Sequence, residues 1–274
     1  MMTAAPSKIT TAALRARKAS QGKGERIAVV TAYDVVFARL ADEAGVDAIL
    51  VGDSLGMVIQ GETSTLPVTL DEMVYHSRIV SRGVRRAHLV ADMPFMSYQA
   101  SIEDGLRAAG RLIKEGRAEA VKLEGGVAVA ELVRRLVAAG IPVMGHVGMT
   151  PQSVHQFGGF KLQGRTDEQR ARILEDARAI ADAGAYAIVV ETVPQTVAAE
   201  VTSAVPAVTI GIGAGRACDG QVMVMHDLLG LEPAWKPRFV RRYAEMGQAV
   251  AAAFKAYAED VRAGRFPSDE ESYD

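Results

Sequence analysis

The stretch that decides the fold is AVKLEGGVAVAELVRRLVAAGIPVMGHV, residues 120–147. It opens with a short apolar run, Ala120–Leu123, continues as an amphipathic pattern over Val129–Ala139, and closes with a second short run, Val143–Val147. A glycine, Gly140, follows the amphipathic pattern, where a helix commonly ends. This order predicts a strand, a helix and a second strand, the unit from which parallel sheets are built.

The same alternation extends along most of the chain in both directions. Strands are predicted at Ile27–Ala32, Ala48–Val51, His88–Ala91, Ala120–Leu123, Val143–Val147, Ala187–Val190, Val208–Ile212 and Val222–Met225. Helices are predicted at Val36–Ala44, Leu70–Arg82, Ile102–Glu115, Val129–Ala139, Asp167–Ala183 and Val193–Ser203. Most of these strands read as continuous apolar runs, which is typical of a parallel sheet covered on both faces.

Eight strands at roughly 30 residues per unit predict an α/β fold, a (β/α)8 TIM barrel. The last unit is compressed, which makes it the weakest part of this interpretation. An open doubly wound sheet is the alternative. That fold would require a glycine-rich phosphate-binding turn after the first strand, and Ala32-Tyr-Asp-Val35 contains no glycine.

A chain of 274 residues is close to the length of one such barrel, about 250 residues. We therefore predict a single domain, 1–274, with an N-terminal arm over 1–24 and a C-terminal helix and tail over 237–274. The arm should carry a short helix, Thr11–Ala19, and the long helical pattern spans Pro237–Gly264. The apolar side of that pattern could pack across the barrel end or against another subunit. Its members are Phe239, Tyr243, Met246, Val250 and Phe254.

Composition excludes several classes of function. The formal net charge of −2 leaves no basic excess for nucleic acid. The single cysteine, Cys218, allows no intramolecular disulfide. No apolar run reaches the length of a membrane span, and the arm lacks the apolar region of a signal peptide. We expect a cytoplasmic protein; an amphipathic transit peptide is the alternative for the basic arm.

Polar residues stand where several predicted strands end, and in a TIM barrel that rim carries the active site. A single acidic residue there is more often a helix cap or an ion-pair partner. Several converging from different strands favour a site, because a buried charge is costly unless it is paired or bound to metal. The candidates are Asp53, Ser54, Asp92, Lys122, Glu124, His146 and Glu191.

Lys122 and Glu124 lie two residues apart on one strand and so share a face, while Val121 and Leu123 form its apolar face. This pattern predicts that Lys122 and Glu124 point into the barrel. Three carboxylates, Asp53, Asp92 and Glu124, are balanced by one lysine and a divalent cation. Oxygen ligands favour Mg²⁺, and an ion-pair network without metal is the alternative.

A metal that chelates a 2-oxo acid would acidify the neighbouring C–H bond and stabilise the resulting enolate. Glu191 is the candidate base. Lys122 is the candidate fixed positive charge, with a Schiff-base role as the alternative. We assign His146 a supporting role, although a lone histidine is more often a core residue.

The chain resembles the ketopantoate hydroxymethyltransferase family over nearly its whole length after the arm. Its motifs are Thr31–Asp34, Val51–Met57, Gly61–Val68, Ala91–Met96, Val121–Gly126, Gly145–Ser153, Gly158–Arg165, Ile210–Gly215 and Cys218–Gln221. Any one of them is modest support, but in this order they are specific. Phe160 departs from the family pattern, in which tyrosine is common, and it lies outside the candidate site.

The resemblance implies a cytoplasmic TIM-barrel enzyme, a one-carbon transferase of pantothenate biosynthesis. It joins 3-methyl-2-oxobutanoate to the one-carbon unit of 5,10-methylenetetrahydrofolate and gives 2-dehydropantoate. It also implies a homodecamer. By position, Asp53, Asp92 and Glu124 match the magnesium site, and Glu191 matches the proton acceptor. Asp53, Ser54, Asp92 and Lys122 match the residues that contact the 2-oxo acid.

Two other functions stay open at this point. A magnesium-dependent lyase or mutase of the phosphoenolpyruvate mutase and isocitrate lyase kind would share the enolate chemistry, but usually uses a cysteine or a phosphonate pocket on a gating loop. A non-catalytic organic-acid sensor could use the same scaffold, but it would not need a base at Glu191. The loop over 150–165 is either a lid that excludes water or a subunit contact.

Overall fold

The computed structural model describes residues 7–18, 25–234 and 236–273. Eight parallel strands close into a barrel in sequence order, β1 to β8, with β1 paired to β8. The strands are β1 Ile27–Thr31, β2 Ala48–Val51, β3 His88–Asp92, β4 Ala120–Glu124, β5 Val143–Gly148, β6 Ala187–Glu191, β7 Val208–Ile212 and β8 Gly220–Met223. The predicted TIM barrel is confirmed.

Six of the predicted helices form with ends that differ by at most two residues. The described residues contain eleven α-helices. They are α1 Thr11–Arg15, α2 Val35–Glu43, α3 Leu55–Val58, α4 Leu70–Val80, α5 Ile102–Lys114, α6 Ala130–Ala138, α7 Val154–Phe157, α8 Asp167–Asp182, α9 Gln195–Ala204, α10 Met225–Leu229 and α11 Met246–Arg262. The short helices α3, α7 and α10 were not predicted, because one helical turn is too short to give a periodic pattern. None of the helices in the described residues has the length and apolar content of a membrane span.

Strand register decides which side chains enter the barrel. Asp92 pairs with Lys122, Glu124 with His146, and Gly148 with Glu191. Alternate residues of a strand face opposite sides. The outward-facing Val121 and Leu123 are fully buried, as expected for a face covered by helices. The polar ends of β3 to β6 are therefore brought to one end of the barrel.

The N-terminal segment lies at the opposite, amino end of the barrel. Its Ile9 and Leu14 belong to the same buried cluster as strand residues such as Val29 and Val90. The helix α1 ends at Arg15, earlier than predicted, and the two basic residues that follow leave the helical pattern. Arg17 binds Asp47 and Lys18 binds Asp219, at 2.6 and 2.9 Å. The predicted helix end, Ala19, lies outside the described residues.

By its internal contacts the chain divides into two compact units, Met1–Met223 and Val224–Asp274. The single-domain organisation stays a prediction. Both predicted ends of the last strand were wrong: β8 spans Gly220–Met223 instead of Val222–Met225, and Met225 already begins α10, whose C-cap is the left-handed Gly230. An apolar run alone could not separate the end of a strand from the start of a short helix.

The predicted helix over Pro237–Gly264 begins later than expected, at Met246. The preceding segment forms turns, because the backbone N–H of Tyr243 donates to the carbonyl of Leu228 and Arg242 donates to the carbonyl of Glu232. No residue of α11 is buried. The two alternatives for the apolar side of α11, packing across the barrel end or against another subunit, stay predictions.

Candidate active site at the carboxyl end of the barrel

The structure brings together all the site residues predicted from the sequence. Asp92, Glu124 and Glu191 are the last residues of β3, β4 and β6; Asp53 follows β2 by two residues, and Lys122 and His146 lie inside β4 and β5. Asp53, Asp92, Lys122, Glu124 and His146 are each at most 6% exposed. The cluster is therefore largely removed from water, as an active site requires and an ordinary charged surface does not.

Asp92 connects the lysine to the neighbouring loop. Its Oδ1 lies 2.7 Å from the Lys122 ammonium nitrogen, and its Oδ2 accepts a hydrogen bond from the backbone N–H of Asp53 at 3.0 Å. Gly52 makes this approach feasible: a Cβ there would lie 2.7 Å from the Ser54 hydroxyl oxygen and 3.5 Å from Asp92 Oδ2. A side chain at position 52 would push these groups apart.

Gln152, which sequence reasoning missed, connects two of the acidic groups. Its side-chain amide donates to Asp53 Oδ2 and to the carbonyl of Met93, both at 2.9 Å. Its backbone N–H donates to Glu124 Oε2 at 2.9 Å. The hydroxyl of Tyr98 donates to Gln152 Oε1 at 2.8 Å and accepts from the Glu124 N–H at 3.0 Å. One buried glutamine therefore orients Asp53 and Glu124 and is itself fixed by Tyr98.

Ser54 lies at the edge of the cluster and is half-buried. Its hydroxyl is 2.8 Å from that of Tyr33, a second residue that the sequence did not single out. The backbone carbonyl of Tyr33 in turn contacts His76 Nδ1 at 2.7 Å. These contacts position the Ser54 hydroxyl beside Asp53.

His146 stands between Lys122 and Glu191. Its Nδ1 is 3.3 Å from the Lys122 nitrogen and 3.6 Å from Glu124 Oε1, and its Nε2 is 3.1 Å from Glu191 Oε2. Burial and Lys122 lower the pKa of His146, but Glu124 and Glu191 outweigh them and raise it to about 9. A protonated ring forms ion-pair contacts with Glu191 and Glu124, of which the contact with Glu191 is the shorter.

The carboxylates repel each other. Burial, followed by the charges of Asp92 and Glu124, raises the pKa of Asp53 to about 8, against the opposing effect of Lys122. Burial lowers the pKa of Lys122, but Asp92, Glu124 and Asp53 together raise it above the ordinary value. Lys122 is thus held as a cation, which favours the electrostatic role over a Schiff base.

The donor set fits a hard cation. Glu124 Oε1 is buried without a hydrogen-bond partner, and Asp92 Oδ1 contacts the Lys122 ammonium. Bound Mg²⁺ would relieve the repulsion that, after burial, raises the pKa of Asp53. Within the described ranges, no three His, Cys, Asp or Glu side chains are already close enough to enclose a metal ion. Mg²⁺ often takes only one or two carboxylates and completes its shell with water and substrate oxygens. The metal assignment stays a prediction.

Comparisons with known proteins agree with this geometry. The family model described as ketopantoate hydroxymethyltransferase matches residues 8–269. A 3-methyl-2-oxobutanoate hydroxymethyltransferase of Anaeromyxobacter sp. (strain K) is 57% identical over 98% of this chain and 89% of its own. The protein of the same name from Moorella thermoacetica is 54% identical over 97% of this chain and 98% of its own.

Solved structures share the fold at low identity. A phosphoenolpyruvate phosphomutase from Streptomyces platensis subsp. rosaceus matches with a TM-score of 0.64 at 17% identity, over 92% of this chain and 88% of its own. A phosphonopyruvate hydrolase in complex with oxalate and Mg²⁺ matches with a TM-score of 0.62 at 16% identity, over 95% and 92%. The likeness in sequence covers residues 8–269, and it shows that the chain belongs to the ketopantoate hydroxymethyltransferase family.

Proposed function

We propose that this chain transfers the one-carbon unit of 5,10-methylenetetrahydrofolate to 3-methyl-2-oxobutanoate and produces 2-dehydropantoate. The observation that carries the proposal is the buried cluster of Asp53, Asp92 and Glu124 around Lys122, with Glu191 at its edge. Relatives more than 50% identical over nearly the whole chain carry the name of this activity.

Asp53, Asp92 and Glu124 would hold Mg²⁺, which, when bound, supplies Lewis-acid polarisation of the keto oxygen and of the carboxylate of the 2-oxo acid. These carboxylates, with Ser54 and Lys122, line the place where that end of the substrate would lie. A structure related in fold contains oxalate and Mg²⁺ together. Oxalate resembles the planar oxo-acid end of the proposed substrate, which supports the choice of ion and ligand.

Glu191 removes the proton from C3 of the oxo acid. The C3–H bond breaks, the proton moves to the Glu191 carboxylate, and the electron pair forms the enolate. His146 positions Glu191 through an ion-pair contact in which Nε2 and Oε2 are 3.1 Å apart. Lys122 stays charged and stabilises the negative oxygen that develops.

The enolate carbon then forms a bond with the methylene carbon of the folate, and one water supplies the oxygen of the new hydroxymethyl group. Both C–N bonds of the methylene bridge break, one folate nitrogen takes the proton held at Glu191 and the other takes a proton of the water, so that tetrahydrofolate leaves. The side chains described here bind and orient the oxo acid and hold the proton at Glu191. Burial of the cluster keeps water from protonating the enolate before the carbon unit arrives.

The rival lyase or mutase reaction lacks a feature it would usually need. Cys218 is fully buried and lies beside Asp219, just before β8, at the amino end of the barrel. It therefore cannot act from a gating loop over the carboxyl end. A non-catalytic sensor needs no base, and it would therefore not need the contact by which His146 positions Glu191.

The test is an assay of 3-methyl-2-oxobutanoate with 5,10-methylenetetrahydrofolate, with and without a chelator. We expect product formation that EDTA abolishes and Mg²⁺ restores. Treatment with borohydride in the presence of substrate should leave no adduct on Lys122. Absence of product at saturating Mg²⁺ would refute the proposal, and a trapped imine would refute the electrostatic role of Lys122. The cytoplasmic location and the homodecamer stay predictions.

A further inference from the structure

An open cleft of about 830 Å³ lies in the loop region after β5, outside the cluster of acidic residues. Its size falls in the range of ligand pockets, about 300–1,000 Å³. The residues that line it are Gln156, Phe157, Lys161, Leu162, Gln163, Arg165, Thr166 and Gln169. Neither the oxo acid nor the metal site uses any of them, so the cleft is available to a second ligand.

The segments that line the cleft are connected to active-site residues at two points. Gln152, which orients two of the carboxylates, lies two residues before α7, and α7 contributes Phe157 to the lining. The backbone N–H of Gln163 donates to the carbonyl of Thr192 at 3.0 Å. Thr192 directly follows Glu191, the proposed base. A ligand in the cleft could therefore extend a reactive group toward the carbon that Glu191 deprotonates.

The lining has a definite chemical character. Lys161 and Arg165 are exposed, and neither joins an ion pair in the part of the chain that the structure describes. The acidic residues nearest in sequence, Asp167 and Glu168, point to solvent from the first turn of α8 and do not line the cleft. Phe157 supplies an apolar surface between the polar groups. The combination suits an aromatic ligand that ends in carboxylates.

We infer that this cleft binds the p-aminobenzoyl-glutamate part of the folate co-substrate. Its aromatic ring would lie against Phe157 and Leu162, and its glutamate carboxylates would pair with Lys161 and Arg165. This inference rests on the proposed function, because that function supplies the folate. Additional γ-linked glutamates would add carboxylates within reach of the same two cations.

The experiment compares methylene-tetrahydropteroate, which has no glutamate, with the mono- and triglutamate forms of methylenetetrahydrofolate. In the double variant Lys161→Ala/Arg165→Ala, the KM for the triglutamate should rise about three- to tenfold, as expected for two exposed charge pairs. The KM for the pteroate form should not change. The KM for the triglutamate should also rise with salt in the parent protein but not in the variant. Lys114→Ala and Arg172→Ala, which remove exposed cations elsewhere, are the matched controls.

A second readout separates this inference from the proposed function. Exchange of the C3 proton of the oxo acid with D₂O, measured without folate, reports on enolate formation independently of the cleft. If the parent protein exchanges the proton and the double variant binds all folate forms like the parent, the cleft assignment is wrong. An equal rise in the KM of the double variant for the pteroate form would also show that the cleft assignment is wrong. If the parent protein shows no exchange, the proposed function itself fails.

Discussion

The two ends of the barrel both bury carboxylates, but they satisfy them in different ways. At the amino end, Asp219 accepts hydrogen bonds from Lys18 and from both the N–H and the hydroxyl of Thr209. Asp42 accepts from three consecutive backbone N–H groups, those of residues 85–87. At the carboxyl end, Glu124 Oε1 is buried without a hydrogen bond, and the Lys122 ammonium, 2.7 Å from Asp92 Oδ1, faces three carboxylates. Burial alone therefore does not identify a functional carboxylate; incomplete pairing does.

The difference has a physical cause. The carboxylates of the amino end receive enough donors to replace the water they lose, so they stabilise the fold. Those of the carboxyl end repel each other, and the pKa of Asp53 rises to about 8. Carboxylates with pKa values raised by burial and mutual repulsion cluster at functional sites, where a cation or a substrate would stabilise them. Substitutions at the two ends should therefore have opposite consequences.

The largest effect is expected for Glu191→Gln, which keeps the shape of the side chain but removes the base. The rate of C3 proton exchange with D₂O should fall about 10²- to 10⁴-fold. Mg²⁺ binding in the presence of the oxo acid, measured by calorimetry, should remain. Glu200→Gln, a change at an exposed ion pair on α9, is the control. Exchange at the parent rate would exclude Glu191 as the base.

The two ends of the barrel are compared most directly by one isosteric substitution at each end. The free energy of unfolding is then measured for both variants without metal. Asp219→Asn should lower the free energy of unfolding by about 2–4 kcal/mol, because it weakens a fully paired buried carboxylate. Asp53→Asn should raise it, because the raised pKa of Asp53 means that its ionised form is unfavourable in the folded state.

The sign of the Asp53 effect depends on pH. A folded-state pKa above the unfolded value, near 4, means that Asp53 costs little stability below that value. The cost grows as the pH rises from about 4 to about 8. The increase in the free energy of unfolding caused by Asp53→Asn, measured by urea unfolding, should therefore grow over the same pH range. A destabilised Asp53→Asn protein at alkaline pH would show that the two ends do not differ as described.

His88, at the amino end, gives an effect of the opposite pH sign. Burial lowers its pKa to about 4, although Glu119 Oε2, 3.6 Å from Nδ1, opposes this. Its unfolded pKa is about 6.5. Stability should therefore be complete above that value and decrease by up to about 3 kcal/mol as the pH falls toward 4. His88→Gln should flatten this dependence in urea unfolding, whereas the exposed His155→Gln should not.

The smallest effect is expected for Gln152→Leu, which removes the amide that holds Asp53. Groups that orient metal ligands typically contribute about 10- to 100-fold in affinity. The dissociation constant for Mn²⁺, followed by electron paramagnetic resonance, should rise within that range. Gln156→Leu, on the exposed side of α7, is the control. An unchanged constant would mean that Gln152 does not position the metal ligands.

Much of the fold and of the candidate site could be predicted from the sequence, because the apolar run that indicates a strand is a local feature of the sequence. The apolar runs gave the positions of all eight strands, and the polar residue that ends each run indicated Asp92, Glu124 and Glu191. The role of Gln152 could not be predicted in the same way. It is 99 residues from Asp53 in sequence, and only closure of the barrel brings the two together. Its place in the polar run Thr150–Ser153 after β5 was the available signal.

The later start of α11 has a different cause. Periodicity detects an amphipathic surface, but it does not detect the hydrogen bonds by which Tyr243 and Arg242 hold the preceding segment in turns. Where a helix begins depends on which competing partner the backbone finds. Such partners are distant in sequence, so the boundary was wrong although the helix itself was correctly predicted.

The anchoring of Gln152 has a consequence for protein engineering. Only three residues separate Gly148, the end of β5, from Gln152, so an insertion or deletion between them would shift the amide away from both acidic side chains. After the left-handed Gly158 the chain is mostly exposed as far as Leu162. Added loops or grafted peptides should therefore leave the carboxylates in place after Gly158, where they would alter only the proposed folate cleft, and should inactivate the protein before Gln152.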